Sequence, residues 1–372
     1  PWRADVHDRL LTELLGPRPA GGGRPPVMAR LAEEIAAAFD DRRVNPDSPV
    51  DLVRAFRRVG VTVPSTRAHV LRAVEHPAVR PLLRYKELAR LHSANGWQFL
   101  ADWVTGGRFR PEYVAGCVVS GRWGTRGGGA LQIPKQVRRA VIADPGWRLV
   151  VADAGQLEPR VLAAVSGDRR MAEAAGPGDL YTALAADAFE GDRGKAKIAL
   201  LSAMYGGTSG AGGALLHTLR RRFPVAVEYV ETAARAGERG DLVRSLLGRT
   251  CPPPSSGAAL TIEGEPTDVD ASPSSARARG RFTRNFVIQA TAAEWALLLL
   301  ADLRGRLHPL DGADLVFFQH DEVLVHCRAE LADTVVAAVA DAAREATRLL
   351  FGGTPVCFPL EAVVVDCYAD AK

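Results

Sequence analysis

The segment FFQHDEVLVH, residues 317–326, constrains the fold of this chain more than any other. Phe317, Phe318, Val323, Leu324 and Val325 read as a buried strand or hairpin, and His320, Asp321 and Glu322 interrupt that run at its centre. Burying a carboxylate is costly unless it is paired or binds a cation. The fold must therefore bring a counter-charge or a metal ion to this place.

Two further segments carry candidate chemistry. WRLVVADA (147–154) has the composition of a buried strand and ends near Asp153; a helix with Val161, Leu162 and Val165 is predicted to begin at about Pro159. A strand-end aspartate has two readings, a carboxylate facing a cleft or a cap on the next helix. If the strands bearing Asp153 and Asp321 are sheet neighbours, the two acids converge. Carboxylates that close repel, and one protonates unless cations sit between them. Hard divalent ions with oxygen ligands, Mg²⁺ especially, suit such a pair. In DRGKAKIALLSAMYGG (192–207), Arg193, Lys197, Leu201 and Tyr205 recur at every fourth position of a helix and share one slowly drifting face. Two cations, an apolar residue and a ring in that order suit a nucleotide; the competing reading is a solvated surface helix, which Leu201 and Tyr205 do not favour.

The remaining segments fix the class. SPVDLVRAFRRVG (48–60) is a helix with Ser48 as cap, Pro49 in the first turn, Asp51 completing a capping box and Gly60 at the end. Residues 1–115 and 178–240 are mostly helical, GRWGTRGGGALQIP (121–134) is turn-rich, and residues 251–280 read as a mobile Pro/Ser/Gly-rich loop. NFVIQATAAEWALLLLADL (285–303) is an apolar helix; LVFF, VLVHC and LEAVVVD are strands around an Ala-rich helix at 331–349. This is an α+β architecture with a small antiparallel sheet assembled from distant segments. A chain of 372 residues with 47% hydrophobic and 24% charged residues can bury a large core and is not disordered overall. Its longest apolar run, 295–301, is too short to span a bilayer. Basic residues are almost all arginine, which fits either a GC-rich coding sequence or phosphate recognition, and the net charge of +4 does not decide between them. Cys117, Cys251, Cys327, Cys357 and Cys367 show no metal-type spacing and read as reduced and cytosolic.

Together these segments resemble the polymerase portion of family A DNA polymerases, the bacterial DNA polymerase I type. VVADAGQLEPRVLAAVSGD is similar to the family's motif A, DRGKAKIALLSAMYGG to motif B and QHDEV to motif C, in the family's order. LVRSLLGRTCPPP, NFVIQATAAEWA, VNPDSPVDLVRAF, RYKELARL and GRWGTRGGGALQIP resemble further family segments, so the likeness covers nearly all of residues 40–372. The resemblance implies a right-hand fold: an N-terminal helical remnant or linker at 1–40, thumb at 41–115, palm at 116–170 and 285–372, and fingers at 171–284. It implies that Asp153, Asp321 and the carbonyl of Ala154 hold two Mg²⁺ ions, with Mn²⁺ as a substitute, supported by Glu322. Arg193 and Lys197 would grip the triphosphate. Gln156 and Glu158 would sit beside the nucleotide sugar, with Glu158 excluding a 2′-hydroxyl, and Tyr205 near the templating pair. Arg122, Gln132, Arg281, Asn285, Gln289 and His320 would touch primer-template DNA, mainly in the minor groove, whose degenerate readout suits copying any sequence.

Departures from the family pattern bear on the sugar. Ala154 and Gly155 replace Tyr-Ser, Pro159 replaces Leu and biases Glu158 toward an extended conformation, Tyr181 stands where a phosphate-binding His is usual, and Leu201 stands where Phe or Tyr packs on the sugar. Residues 1–150 show no strand with the Asp-x-Glu pair of a proofreading exonuclease, and no 5′-nuclease region is seen in this sequence, so the chain is expected neither to proofread nor to remove RNA primers. The expected protein is a monomeric, cytoplasmic, nucleoid-associated enzyme using dNTPs, with no membrane partner. Two alternatives are a polymerase fold that only binds primer-template, and a metal-dependent phosphodiesterase, which leaves the Arg193–Tyr205 face unexplained.

Overall fold

A computed structural model describes residues 1–371 other than 42, 128, 207–210, 254–259, 263–264 and 268–272. Its N-terminal third is helical where apolar residues recur at helical spacing. Helix α1 (Ala4–Leu15) buries His7, Leu11 and Leu15, and α2 (Pro26–Ala38) buries Met28, Leu31 and Ile35. Helix α3 (Pro49–Arg58) starts as its sequence predicts: Ser48 Oγ accepts from the Asp51 N–H at 3.2 Å, with Pro49 in the first turn. Leu52 and Phe56 face inward while Arg54, Arg57 and Arg58 are exposed. Helices α4 (Ala68–Leu71), α5 (Val79–Asn95) and α6 (Trp97–Trp103) complete this layer. Two short antiparallel pairs follow, β1 (Val104–Thr105) with β2 (Arg108–Phe109), and β3 (Tyr113–Val114) with β4 (Gly124–Thr125). Residues 1–40 share one core with the helices after them, Trp2, Leu15, Ile35 and Phe56 belonging to the same cluster.

Strand β5 (Trp147–Ala154) leads into α7 (Leu157–Ser166), α8 (Arg169–Ala174), α9 (Leu180–Ala188), α10 (Arg193–Tyr205), α11 (Ala211–Arg222) and α12 (Pro224–Glu238). A short pair β6 (Leu260–Ile262) and β7 (Glu265–Thr267) precedes the long helix α13 (Pro273–Leu307). Strands β8 (Ala313–Gln319) and β9 (Glu322–Arg328), helix α14 (Ala332–Phe351) and strand β10 (Leu360–Val365) close the fold.

Four of these strands form one antiparallel sheet in the order β10-β5-β9-β8. Side chains alternate across a strand, and both faces of this sheet are covered. Leu149, Val151, Phe317 and Leu324 join the N-terminal helical core. Val150, Ala152, Phe318, Val323 and Val325 join the second core, with α13, α14 and the helices after β5. That double burial explains the continuous apolar runs VVA and VLV.

Three expectations change. Helix α13 begins at Pro273, so the C-terminal end of the expected loop 251–280 is helical and its middle carries the β6–β7 pair; residues 254–259, 263–264 and 268–272 lie outside the described residues. Proline suits a first helical turn, since its missing N–H has no intrahelical partner there. Although its longest unbroken apolar run is short, Ser275–Leu307 is long and apolar enough to cross a membrane by composition, but 78% of its apolar window is buried within the protein, which makes it a core helix. Its polar residues are paired inside: Arg284 donates to Ala203 O at 3.1 Å and to Glu231 Oε2 at 2.8 Å, and Thr283 Oγ1 donates to Ala233 O at 2.7 Å. Helix α12 approaches so closely that a Cβ on Gly237 would lie 2.0 Å from Thr283 Oγ1. Finally, α7 starts at Leu157, and Glu158 is helical rather than extended. Gln156 takes the left-handed conformation (φ 61°) that turns the chain from β5 into α7, and Pro159 falls within the first turn, where the restriction it places on Glu158 is overridden.

Candidate active site

The sheet register brings the expected acids together. On β5, Asp153 stands opposite Glu322 of β9 and Glu361 of β10, so three carboxylates share one row across the sheet. Like charges directly opposite one another are destabilising. Glu322 is 3% exposed, and its counter-charge is Arg138, whose Nη1 lies 3.8 Å from Oε1. The Arg138 guanidinium sits 4.3 Å from the centroid of the Tyr368 ring, and burial followed by the Glu322 charge pushes the Tyr368 phenol strongly up. Asp153 is half-buried, and its row lies at one end of the sheet.

Asp321 does not lie in a strand. It and His320 form the β8–β9 turn, closed by Gln319 opposite Glu322. His320 has φ 58°, and the Asp321 N–H donates to Gln319 O at 2.7 Å, a tight turn that a non-glycine residue adopts at a cost. The Ala154 N–H donates to Asp321 O at 2.9 Å, which fixes the turn against the end of β5. The acids interrupt the apolar run because the chain reverses there.

A pocket opens beside this turn, lined by Arg122, Gln156, Glu158, Tyr181, Leu201, His320 and Asp321 among others. Seven candidate residues from five segments thus meet at one cavity. Glu158 is held from two sides: the Arg122 guanidinium pairs with Oε1, and Tyr205 Oη donates to Oε2 at 2.5 Å. Arg122, expected on the DNA, is engaged with Glu158 in this structure. Burial and the Glu158 charge push the Tyr181 phenol up. Trp123 closes the cavity edge, meeting Phe318 at 5.5 Å and Tyr113 at 5.7 Å between ring centroids. Tyr113 Oη donates to Phe318 O at 2.7 Å, and burial raises its phenol to about 12.

The other candidates lie outside the cavity. Arg193 and Lys197 are exposed on α10, on the same helix as Leu201 and Tyr205. Arg281 packs beside Gly206, whose φ of 79° ends α10; a Cβ there would come within 2.9 Å of Arg281 Cγ. Asn285 and Gln289 are 6% and 1% exposed on α13, and their side-chain amide oxygens have no hydrogen-bond partner among the described residues. The Gln132 backbone ends a short 3₁₀ turn, and its side chain lies outside the described residues.

Two residues that sequence reasoning passed over organise the site. Arg160, 1% exposed, donates to five carbonyls: Gly155 at 3.1 Å, Ala175 at 3.1 Å, Gly176 at 2.8 Å, Cys357 at 2.8 Å and Gly178 at 2.5 Å. Asp179 caps α9 and accepts from Gln156 and Arg193. Burial would raise the Asp179 carboxyl, but hydrogen bonds from Arg193 and Thr182 outweigh it and hold the group well below the usual range. The signal for Asp179 was its helix-cap position; nothing local marks Arg160, since its acceptors are scattered carbonyls.

Among the described residues no three carboxylate, imidazole or thiolate groups converge as a preformed metal cage. Asp153 and Asp321 instead stand at one end of the sheet, two carboxylates that could serve as oxygen ligands. That fits Mg²⁺, which retains waters and substrate oxygens and takes only one or two protein carboxylates.

Helical layers around this four-stranded sheet reproduce the fold of a right-hand polymerase domain: the polymerase domain of Pol1 from M. smegmatis, solved with DNA primer-template and dNTP, matches 100% of this chain and 67% of that chain at a TM-score of 0.80 and 17% identity. Residues 26–356 match the family model of DNA polymerase family A, and the chain belongs to that family. It is 29% identical over 331 residues to the thermostable DNA polymerase I of Thermus aquaticus, covering 81% of this chain and 37% of that protein. It is 28% identical over 279 residues to DNA polymerase I of Chloroflexus aurantiacus, covering 67% and 28% respectively. The chain therefore spans well under half the length of these relatives.

Proposed function

We propose that this chain is a DNA-templated DNA polymerase that extends a primer 3′-hydroxyl with dNTPs, in repair or gap filling, and carries no proofreading activity of its own. The observation that supports this reading is the hydrogen bond from the Ala154 N–H to Asp321 O, which sets the strand end bearing Asp153 against the Asp321 turn, beside a cavity lined by Asp321, Glu158, Tyr181 and Leu201. Asp153, Asp321 and the Ala154 carbonyl would hold two Mg²⁺ ions, for which Mn²⁺ could substitute. Bound there, such ions polarise the α-phosphate, lower the pKa of the attacking hydroxyl and neutralise pyrophosphate. Arg138 holds Glu322 beside the pair and offsets its charge. Glu158, braced by Arg122 and Tyr205, presents a fixed wall to the sugar. Tyr181 can donate one hydrogen bond, Arg193 and Lys197 supply positive charge for the triphosphate, and Lys197 can protonate the leaving group. Arg281, Asn285, Gln289 and His320 are assigned to primer-template contacts, which for buried Asn285 and Gln289 requires the neighbouring side chains to move. The lobes take the roles of thumb (41–115), palm (116–170 and 285–372) and fingers (171–284) in a monomeric, cytoplasmic, nucleoid-associated enzyme.

The test is extension of a labelled primer-template with Mg²⁺ and each of dNTPs, rNTPs and ddNTPs, by the wild type and by Asp321→Ala. Templated extension by the wild type, lost in the variant, is the expected result. Tight duplex binding with no extension by the wild type would instead mark a DNA-binding descendant of the fold.

A further inference from the structure

One carboxylate outside the metal pair ties together three of the elements around the cavity. Asp179 Oδ1 accepts from the Thr182 N–H at 2.7 Å and from Arg193 Nε at 3.2 Å. Its Oδ2 accepts from Gln156 Nε2 at 2.6 Å and from Arg193 Nη2 at 2.8 Å. Gln156 answers by accepting the Leu180 N–H on Oε1 at 2.8 Å. The exit of β5, the N-terminus of α9 and the first residue of α10 are thus joined through one side chain. Capping α9 needs only one of the four bonds, and Asp192 caps α10 with no such additions from β5 or α9. The Arg193–Asp179 pair is 52% and 35% exposed, so it contributes little to stability by itself.

The geometry of the pair suggests another role. A guanidinium offers two edges that can grip an anion. Asp179 engages the Nε–Nη2 edge, and Nη1 makes no hydrogen bond among the described residues. The Arg193 guanidinium carbon lies 5.4 Å from the centroid of the Tyr181 ring, so one flank is backed by an aromatic face. A long side chain held in this way loses less conformational freedom when its ligand arrives.

We propose that Asp179 is a positioning residue for polyphosphate recognition: it holds Arg193 by one edge so that the other meets the nucleotide triphosphate, and links that grip through Gln156 to the strand end bearing Asp153. The proposal rests on the polymerase reading for the identity of the nucleotide, but not for the binding of a polyphosphate. Asp179→Asn separates positioning from capping, because asparagine also caps helices yet cannot form the charged bidentate pair. In primer extension, Asp179→Asn raises KM for dNTP on the order of tenfold, with the change carried by KM rather than kcat. Arg193→Ala raises KM comparably, and the double variant is no worse than Arg193→Ala alone. Inorganic tripolyphosphate, measured by its stabilisation of the resting protein, binds Asp179→Asn and Arg193→Ala more weakly than wild type. An unchanged KM would leave Asp179 a cap only, a lowered KM would make it a competitor of phosphate, and additive variants would deny the coupling; each sinks the proposal. If the wild type extends no primer, the polymerase reading fails, and the tripolyphosphate comparison still decides the role of Asp179: equal binding by all three proteins overturns it.

Discussion

Replacing Arg160 by methionine tests a concentrated polar arrangement, one buried side chain with five acceptors. The Arg160 guanidinium donates to the carbonyls of Gly155, Ala175, Gly176, Gly178 and Cys357 at 2.5–3.1 Å while 1% exposed. Burial lowers its pKa, with the charges of Cys357 and Asp179 acting the other way. Methionine fills similar volume but donates nothing, so the carbonyls around it lose their charged partner. A hydrogen bond to a charged group is worth about 1.5–3 kcal/mol, but five do not simply add, and removing a buried charge recovers part of the loss. The expected net destabilisation is about 3–5 kcal/mol. Equilibrium urea unfolding measures it, and limited proteolysis in the 175–178 turn shows whether the loss is local. Arg160→Lys keeps the charge but has three donors in place of a planar fork, so it recovers only part of the difference. A loss below about 1 kcal/mol for Arg160→Met, the scale of an ordinary substitution, would falsify the view that this residue pins the end of β5 to the base of α9.

Three further outcomes are expected. His7 is fully buried, its Nδ1 accepting from Trp2 Nε1 at 3.2 Å and its Nε2 meeting Asn95 O at 2.9 Å, and burial lowers its pKa from 6.5 to about 4. The unfolded chain therefore binds the proton first on acidification: the stabilisation is complete above pH 6.5 and is lost as pH falls toward 4, about 2 kcal/mol of it between pH 7 and 5, and His7→Phe should flatten that slope in urea titrations at the two pH values. Ser48→Ala removes the cap on α3 and costs about 1 kcal/mol by thermal or urea unfolding; no loss would mean that this helix end is held by its packing alone. Leu201→Phe narrows the cavity beside Glu158 and shifts the ratio of dNTP to rNTP and ddNTP use in single-nucleotide extension, whereas an unchanged ratio would show that residue 201 does not touch the sugar.

The legible parts of the sequence were those with a local pattern. Ser48, Pro49 and Asp51 announce a helix start, and the apolar strands around Asp153 and Asp321 announce buried neighbours, because burial writes itself into every residue of a strand. The adjacency of those acids followed only if the strands paired, which periodicity cannot supply. Glu158 was misread because the restraint proline places on its neighbour is a local preference, and the bonds to Arg122 and Tyr205 are tertiary. Proline and serine at 273–275 look like loop, yet that stretch opens a helix whose Arg279 donates to Pro252 O. Arg138, Arg160 and Asp179 were not read as functional residues for one reason: each acts through partners on other elements, and an arginine or aspartate on a helix looks the same whether it faces water or its neighbours.

The β8–β9 turn has a consequence for how this protein can vary. Only His320 and Asp321 separate the paired residues Gln319 and Glu322, and the same register sets Glu322 against Asp153. Between Phe317 and Leu324 position along the hairpin is thus fixed by counting, the one extra residue of β8, Val316, being absorbed by a bulge before Phe317. Exchanging Phe317 or Val325 for another apolar residue leaves that count intact. One residue gained or lost within β9 would slide its frame against β5, turn alternate side chains to the opposite face and bring a different group beside Asp153. Related sequences should therefore drift in composition here while holding their length, with tolerated insertions displaced to the segments that precede α13.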